Sequence, residues 1–298
     1  MKTYPKVSIG IPTCYGGQSL VDTIKTIYNS DYKGEVEILV EADKTPLSPE
    51  VRKTLRRMKV KLHWNKTEGS QFKKLNQIIK RASGEIFIFT QDDIVFEPKA
   101  ISEIVKAFNL DNQLTMQGAQ VLSLPAETFF ESTMITMMRL SQRVARSWNK
   151  GENYLLASAR CLAFKKSHIN KFRFFDQVVN TDVYMYFENQ RLQGKFKPSQ
   201  KAKVFIRNPQ SLKDQLGPSS RYQYSKLDVS RFFKQDITDQ FKIPLSSLLK
   251  GLIVEIFTNP IGLFSYSLVF FYTRLKRQSL KKALRTSWEV DISTKKVV

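Results

Sequence analysis

Ala82-Ser83-Gly84-Glu85-Ile86-Phe87-Ile88-Phe89-Thr90-Gln91-Asp92-Asp93 is the stretch on which the fold turns. A Ser-Gly turn signal precedes a short apolar run, and two carboxylates follow it at once, which reads as a buried strand with a polar end. In an open sheet wound with helices, ligands sit beyond the carboxyl ends of the strands. A strand ending in Gln91-Asp92-Asp93 therefore brings its acids to the place where such a fold binds something.

The flanking sequence repeats the pattern. Upstream, Val7 to Ile11 reads as a strand ended by Pro12. Ser19 and Asp22 resemble a capping box opening a helix with Leu20, Ile24, Ile27 and Tyr28 on one face. Val36 to Val40 is a second strand, ending in Glu41-Ala42-Asp43, and Ser48-Pro49 opens a second helix. Val60 to Trp64 reads as a third strand and Gln71 to Ala82 as a third helix. Downstream, Pro98 begins a helix carrying Ile101, Ile104, Val105 and Phe108. Phe129 to Trp148 is a long amphipathic candidate, Arg160 to Phe164 a strand, Asp182 to Gln193 a helix closed by Gly194, and Lys203 to Arg207 a further strand. The sum is a layered α/β domain with parallel strands in its first part.

Composition limits the function. The chain has 298 residues, two histidines and two cysteines, Cys14 and Cys161. These counts exclude a disulfide framework and multi-histidine metal sites, and they point to a reducing compartment. His63 and His168 have no carboxylate or nucleophile at motif spacing, so catalysis is left to carboxylates. No secretory signal is expected at the start. The net charge of +21 calls for a polyanionic partner, nucleic acid or an anionic membrane surface. Basic residues are not interleaved with aromatics along a groove and no RNP-like motif occurs, so nucleic acid is not the expected partner. A nucleotidyltransferase on a similar sheet would carry a Gly- and Arg-rich loop after its first strand. Thr13-Cys14-Tyr15-Gly16-Gly17 has no basic residue.

The character of the chain changes near Ile243. No residue from Ile256 to Thr273 is charged, and Asn259-Pro260 interrupts the apolar stretch, which fits two short helices. Arg274, Lys276, Arg277, Lys281, Lys282 and Arg285 follow directly. An apolar aromatic segment adjoining a basic cluster is what a protein held at an anionic membrane surface presents. The expected division is a catalytic domain over residues 1–240 and a membrane-associated segment over 241–298.

The ordered motifs resemble glycosyltransferase family two, whose catalytic domain has the GT-A fold. The likeness runs through Val7-Ser8-Ile9-Gly10-Ile11-Pro12-Thr13, Glu37 to Asp43, Asn65 to Gly69, Lys73-Lys74-Leu75-Asn76, Ala82 to Pro98, Thr181-Asp182 with Arg191 and Gly194, and Lys203 to Leu212. It implies a Rossmann-like mixed α/β sheet flanked by helices, and an inverting hexosyl transfer from a nucleotide-diphosphate sugar, a UDP-sugar being favoured. The acceptor it implies is lipid-linked or a cell-surface polysaccharide, and the enzyme would work at the cytoplasmic face of the cell membrane.

The resemblance also implies residue roles. Pro12 and Thr13 would border the nucleotide, Asp43 would hydrogen-bond the base, and Lys73 and Asn76 would line the donor pocket. Gln91 and Asp92 would lie against the donor, and Asp93 matches the metal-touching final acid of Asp-x-Asp, which implies Mg2+ or Mn2+. Asp182 matches the general base. Arg207 stands where many relatives have a histidine and would meet the diphosphate, as would Arg221. Arg221-Tyr222 is similar to the Arg-Trp of the processive synthases, with Pro218 in place of their Gln.

Overall fold

The computed structural model describes residues 4–234, 236–286 and 293–296. Its strands are β1 (Val7–Thr13), β2 (Val36–Asp43), β3 (Lys61–Asn65), β4 (Ile86–Thr90), β5 (Ile94–Phe96), β6 (Leu114–Ser123), β7 (Cys161–Lys165) and β8 (Lys195–Ile206). Its helices are α1 (Gln18–Tyr28), α2 (Pro49–Arg57), α3 (Gln71–Arg81), α4 (Ala100–Leu110), α5 (Phe129–Ser147), α6 (Lys166–Ile169), α7 (Thr181–Arg191), α8 (Leu212–Gln223), α9 (Ser225–Ser230), α10 (Leu245–Thr258), α11 (Pro260–Leu275) and α12 (Leu280–Ala283).

The strands form one mixed sheet in the order β3-β2-β1-β4-β7-β6-β8-β5. β1 to β4 are parallel to their neighbours within that half, whereas β7 runs antiparallel to both β4 and β6. Period-two alternation builds a core on each face. Ile9, Ile11, Ile38, Val40, Ile86 and Ile88 face one cluster with α1 and α4. Leu39, Phe87, Phe89, Leu162 and Phe164 face a more aromatic one with α3 and α7. Gly10 permits the second packing, since a Cβ there would lie 2.7 Å from atoms of Ile78 and Phe87.

Several local expectations are corrected. Pro12 does not end β1, which continues to Thr13. Pairing with β4 stops at Gly10, so Pro12 lies where β1 has only β2 beside it and a missing donor is tolerated. Ser19 is not a cap: Gly17 precedes α1, and Asp22 instead accepts from Gln18 and Lys25. Ser48 does cap α2, accepting from Val51 N at 3.2 Å. Gln193, not Gly194, takes the left-handed backbone conformation after α7. Gly194 is needed for close approach, because a Cβ would fall 2.2 Å from Asn189 Oδ1. β5, β6 and the first half of β8 went unread in the sequence. The break at Asn259-Pro260 is present, with Asn259 Oδ1 accepting from Gly262 N at 3.3 Å to cap α11.

Candidate active site

β1 and β4 end at a cavity of about 780 Å3. Pro12, Thr13 and Cys14 line it from β1, and Gln91, Asp92 and Asp93 from the end of β4. Because β7 is antiparallel to β4 and pairs Cys161 with Thr90, its beginning reaches the same edge. Arg160, the residue before β7, thereby joins the wall, and Asp182 enters from the first turn of α7. α8 contributes Pro218, Arg221 and Tyr222, while Tyr266 and Arg274 come from α11.

The acids at the end of β4 are individually held. Thr13 Oγ1 donates to Asp92 Oδ2 and itself accepts from Gly16 N at 2.9 Å, which fastens the β1 turn to the acidic loop. Gly16 has φ +53°, and a Cβ there would meet Leu47 at 1.9 Å, so the turn requires glycine. Gln91 Oε1 accepts from Arg160 Nη1. Asp93 Oδ2 accepts from Lys295 Nζ at 3.0 Å, and Asp92 Oδ1 accepts from the same ammonium. Asp93 Oδ1 is buried and has no hydrogen-bond partner among the described residues. Asp93 lines the cavity, and a carboxylate with one oxygen unpaired among the described residues fits a hard divalent cation. Among the described residues no cluster of three or more His, Cys, Asp or Glu surrounds it, so phosphates and water would supply most other ligands.

Asp182 is set differently. Oδ1 accepts from Val183 N at 2.9 Å and Oδ2 from Ala159 N at 3.3 Å. Burial pushes its carboxyl above the ordinary aspartate range, against the opposing pull of these amides and of Arg160. Burial likewise lowers the Arg221 guanidinium, Arg160 adding to the effect and Asp182 opposing it. Asp182, Arg160 and Arg221 thus form one electrostatic group.

A family model described as "Glycosyl transferase family 2" matches residues 8–172, more than half of the chain. The chain belongs to that family. A mannosyltransferase from Pyrobaculum calidifontis, solved in complex with GDP-Man and Mn2+, is similar over 94% of this chain and 78% of its own, with 16% identity and a TM-score of 0.62. TarS from S. aureus is similar over 94% of this chain and 54% of its own, with 15% identity and a TM-score of 0.52. At these identities the likeness speaks for the fold, which is GT-A. No curated protein matches the sequence.

In this glycosyltransferase the residues singled out from the sequence divide into two groups. Pro12, Thr13, Gln91, Asp92, Asp93, Asp182, Arg207 and Arg221 line one cavity. Lys73 and Asn76 do not: the turn of α3 leaves Lys73 exposed and Asn76 half-buried, and Lys74 takes the place in the wall. Asp43 lies just behind that wall, 1% exposed, accepting from Lys74 Nζ at 2.8 Å and Gly69 N at 2.7 Å. Arg207 is largely committed already, to Glu127 at 3.0 Å, Glu131 at 3.3 Å and the Pro125 carbonyl at 2.7 Å. His63 bonds Glu41 at 2.6 Å on the far side of β2, and neither histidine lines the cavity. Arg160, Lys74 and Lys295 are among the wall residues that sequence reading missed. The first could have been found from an antiparallel β7, which turns the start of that strand toward the site.

Proposed function

We propose that this glycosyltransferase moves a sugar from a nucleotide-diphosphate sugar, a UDP-sugar in the first instance, to a lipid-linked or cell-surface polysaccharide acceptor with inversion. The observation that carries the reading is that Asp182 lines the same cavity as the Asp92-Asp93 pair, with Arg160 and Arg221 beside it. Asp182 takes the acceptor proton as its oxygen attacks the anomeric carbon. Burial raises its carboxyl above the ordinary aspartate range, which makes the carboxylate a better proton acceptor than an exposed aspartate. Arg160 and Arg221 meet negative charge on the leaving diphosphate. Asp93, with Asp92 behind it, would hold Mg2+ or Mn2+, which supplies Lewis-acid stabilisation of that charge when bound.

The setting we propose is the cytoplasmic face of an anionic membrane. No helix among the described residues is long and apolar enough to cross a membrane. α10 and α11 are, however, amphipathic in the reverse of the soluble sense. α10 buries Ser247, Gly251 and Glu255 and exposes Leu245, Ile253 and Phe257, while α11 exposes Ile261, Phe264, Leu268 and Phe271. Water does not favour that arrangement, and a lipid interface does.

A panel of UDP- and GDP-sugars, scored for nucleoside diphosphate release in anionic liposomes, tests the reading with wild type, Asp93→Ala and Asp182→Asn. Release by wild type, lost in both variants, is the expected outcome. Release that persists unchanged in both would sink the assignment.

A further inference from the structure

The short turn Ser293–Lys295 lies far along the chain from the catalytic motifs, yet Thr294 and Lys295 are part of the cavity wall. Lys295 is 16% exposed, and its ammonium lies 3.0 Å from Asp93 Oδ2 while also contacting Asp92 Oδ1. Thr294 Oγ1 is 3.5 Å from the same Asp93 oxygen. The turn is moored on both sides: Arg207 Nε donates to the Lys296 carbonyl at 3.0 Å, and Gln210 N donates to Ser293 Oγ at 3.4 Å. Arg207, which the resemblance implies would meet the diphosphate, lines the cavity and also holds this segment.

Electrostatics gives this contact a use. Two ionised carboxylates meeting an anionic diphosphate would repel it unless cations stand between them. Gln91 is neutral where a third acid would help to anchor a metal ion. An ammonium has three donors, and the two carboxylate contacts leave one for a further acceptor. Lys295 contacts Asp93 through Oδ2, while Asp93 Oδ1 has no hydrogen-bond partner among the described residues.

We propose that Lys295 is a donor-binding residue whose ammonium bridges the Asp92-Asp93 pair and the diphosphate of the donor, carried by a C-terminal strap that Arg207 holds in place. The inference rests on the reading of the cavity as a nucleotide-sugar site.

The test is calorimetric titration of the 298-residue chain with UDP and GDP, each in EDTA and in Mn2+, using wild type, Lys295→Ala and Lys295→Arg, with uridine and guanosine as phosphate-free probes. Losing one charged hydrogen bond weakens nucleoside diphosphate binding in Lys295→Ala by about 10- to 100-fold. The loss should be present in EDTA, largely restored in Lys295→Arg, and absent for the nucleosides. Unchanged or tighter diphosphate binding in Lys295→Ala would make the strap a mere cover and overturn the proposal. An equal loss for the nucleosides would reduce Lys295 to a structural role and overturn it as well. If wild type binds neither diphosphate under either condition, the nucleotide-sugar reading itself fails first.

Discussion

Lys74 Nζ lies 2.8 Å from Asp43 Oδ1, and the two side chains are 9% and 1% exposed. Asp43 closes β2 and Lys74 sits in the first half of α3, so the contact ties strand end to helix at the margin of the cavity. Asp43 also accepts from Gly69 N at 2.7 Å, which holds the loop ahead of α3 in the same grip. The Asp43 carboxylate is thus held by a buried lysine, while the neighbouring Lys73 is exposed.

That difference separates two adjacent positions. Lys74→Met leaves the Asp43 carboxylate buried without its partner and should lower stability by about 3–5 kcal/mol, as breaking a buried pair does. It should weaken UDP binding too. Lys73→Met, on the exposed side of α3, should change stability by less than about 0.5 kcal/mol. Urea unfolding of the two variants decides the matter, and equal effects would refute the assignment of Lys74 to the wall.

Asp182 gives a pH prediction. Its folded carboxyl is raised by burial, so protonation persists to higher pH than in an ordinary aspartate. The acid limb of the kcat/KM profile should accordingly lie above the usual carboxylate range, with activity rising as pH rises through it. The stability sign is the opposite: above the folded pKa the ionised group costs stability, because its unfolded counterpart ionises more readily. Asp182→Asn should therefore cut turnover by about 100- to 10,000-fold while leaving Tm at pH 8 equal to wild type or higher. A lowered Tm with activity lost in proportion would show a structural role instead.

Much of this site was legible in the sequence, and the part that was not has a topological cause. Asp92, Asp93 and Asp182 could be placed from strand ends and a helix start, since period and turn signals locate those points. Arg160 was invisible as a site residue because its role depends on β7 running antiparallel to β4, and the local pattern of Cys161 to Lys165 is the same in either direction. Lys73 was preferred to Lys74 because a motif fixes spacing along the chain, whereas one residue on a helix is a turn of about 100°. Lys295 lies on a turn with no periodicity of its own, placed by tertiary contacts such as those of Arg207 with Lys296 and Gln210 with Ser293.

Glu255 makes the docking of α10 onto α5 a polar event. It is fully buried and pairs with Arg143 Nη1 at 2.9 Å and Arg139 Nη2 at 3.3 Å. Gly251 lies alongside, where a Cβ would come 2.7 Å from Val144 Cγ2. Glu255→Ala removes the buried charge and leaves two partly exposed arginines that water can reach, so the cost should be about 1–3 kcal/mol, that of the lost charged hydrogen bonds. Limited proteolysis should then cut within residues 241–275 before it cuts the sheet. Digestion indistinguishable from wild type would show that α10 is held by other contacts.

The reversed amphipathicity of α10 and α11 yields the last prediction. Phe257 is 83% exposed and Phe264 67% exposed, so neither contributes appreciably to the core. Converting both to Glu should leave Tm in solution within about 2 °C of wild type, as surface substitutions do. The same double variant adds two negative charges and removes two aromatic anchors from the side that would meet lipid. Co-sedimentation with phosphatidylserine-containing vesicles should fall at least about tenfold. Binding of the wild type should weaken as salt is raised, because Arg274, Lys276, Arg277, Lys281 and Lys282 supply an electrostatic share that is screened within a Debye length. The double variant should retain little binding at any salt, since polybasic attraction without apolar insertion is weak. Vesicle binding equal to that of wild type would show that the apolar face meets something other than a membrane.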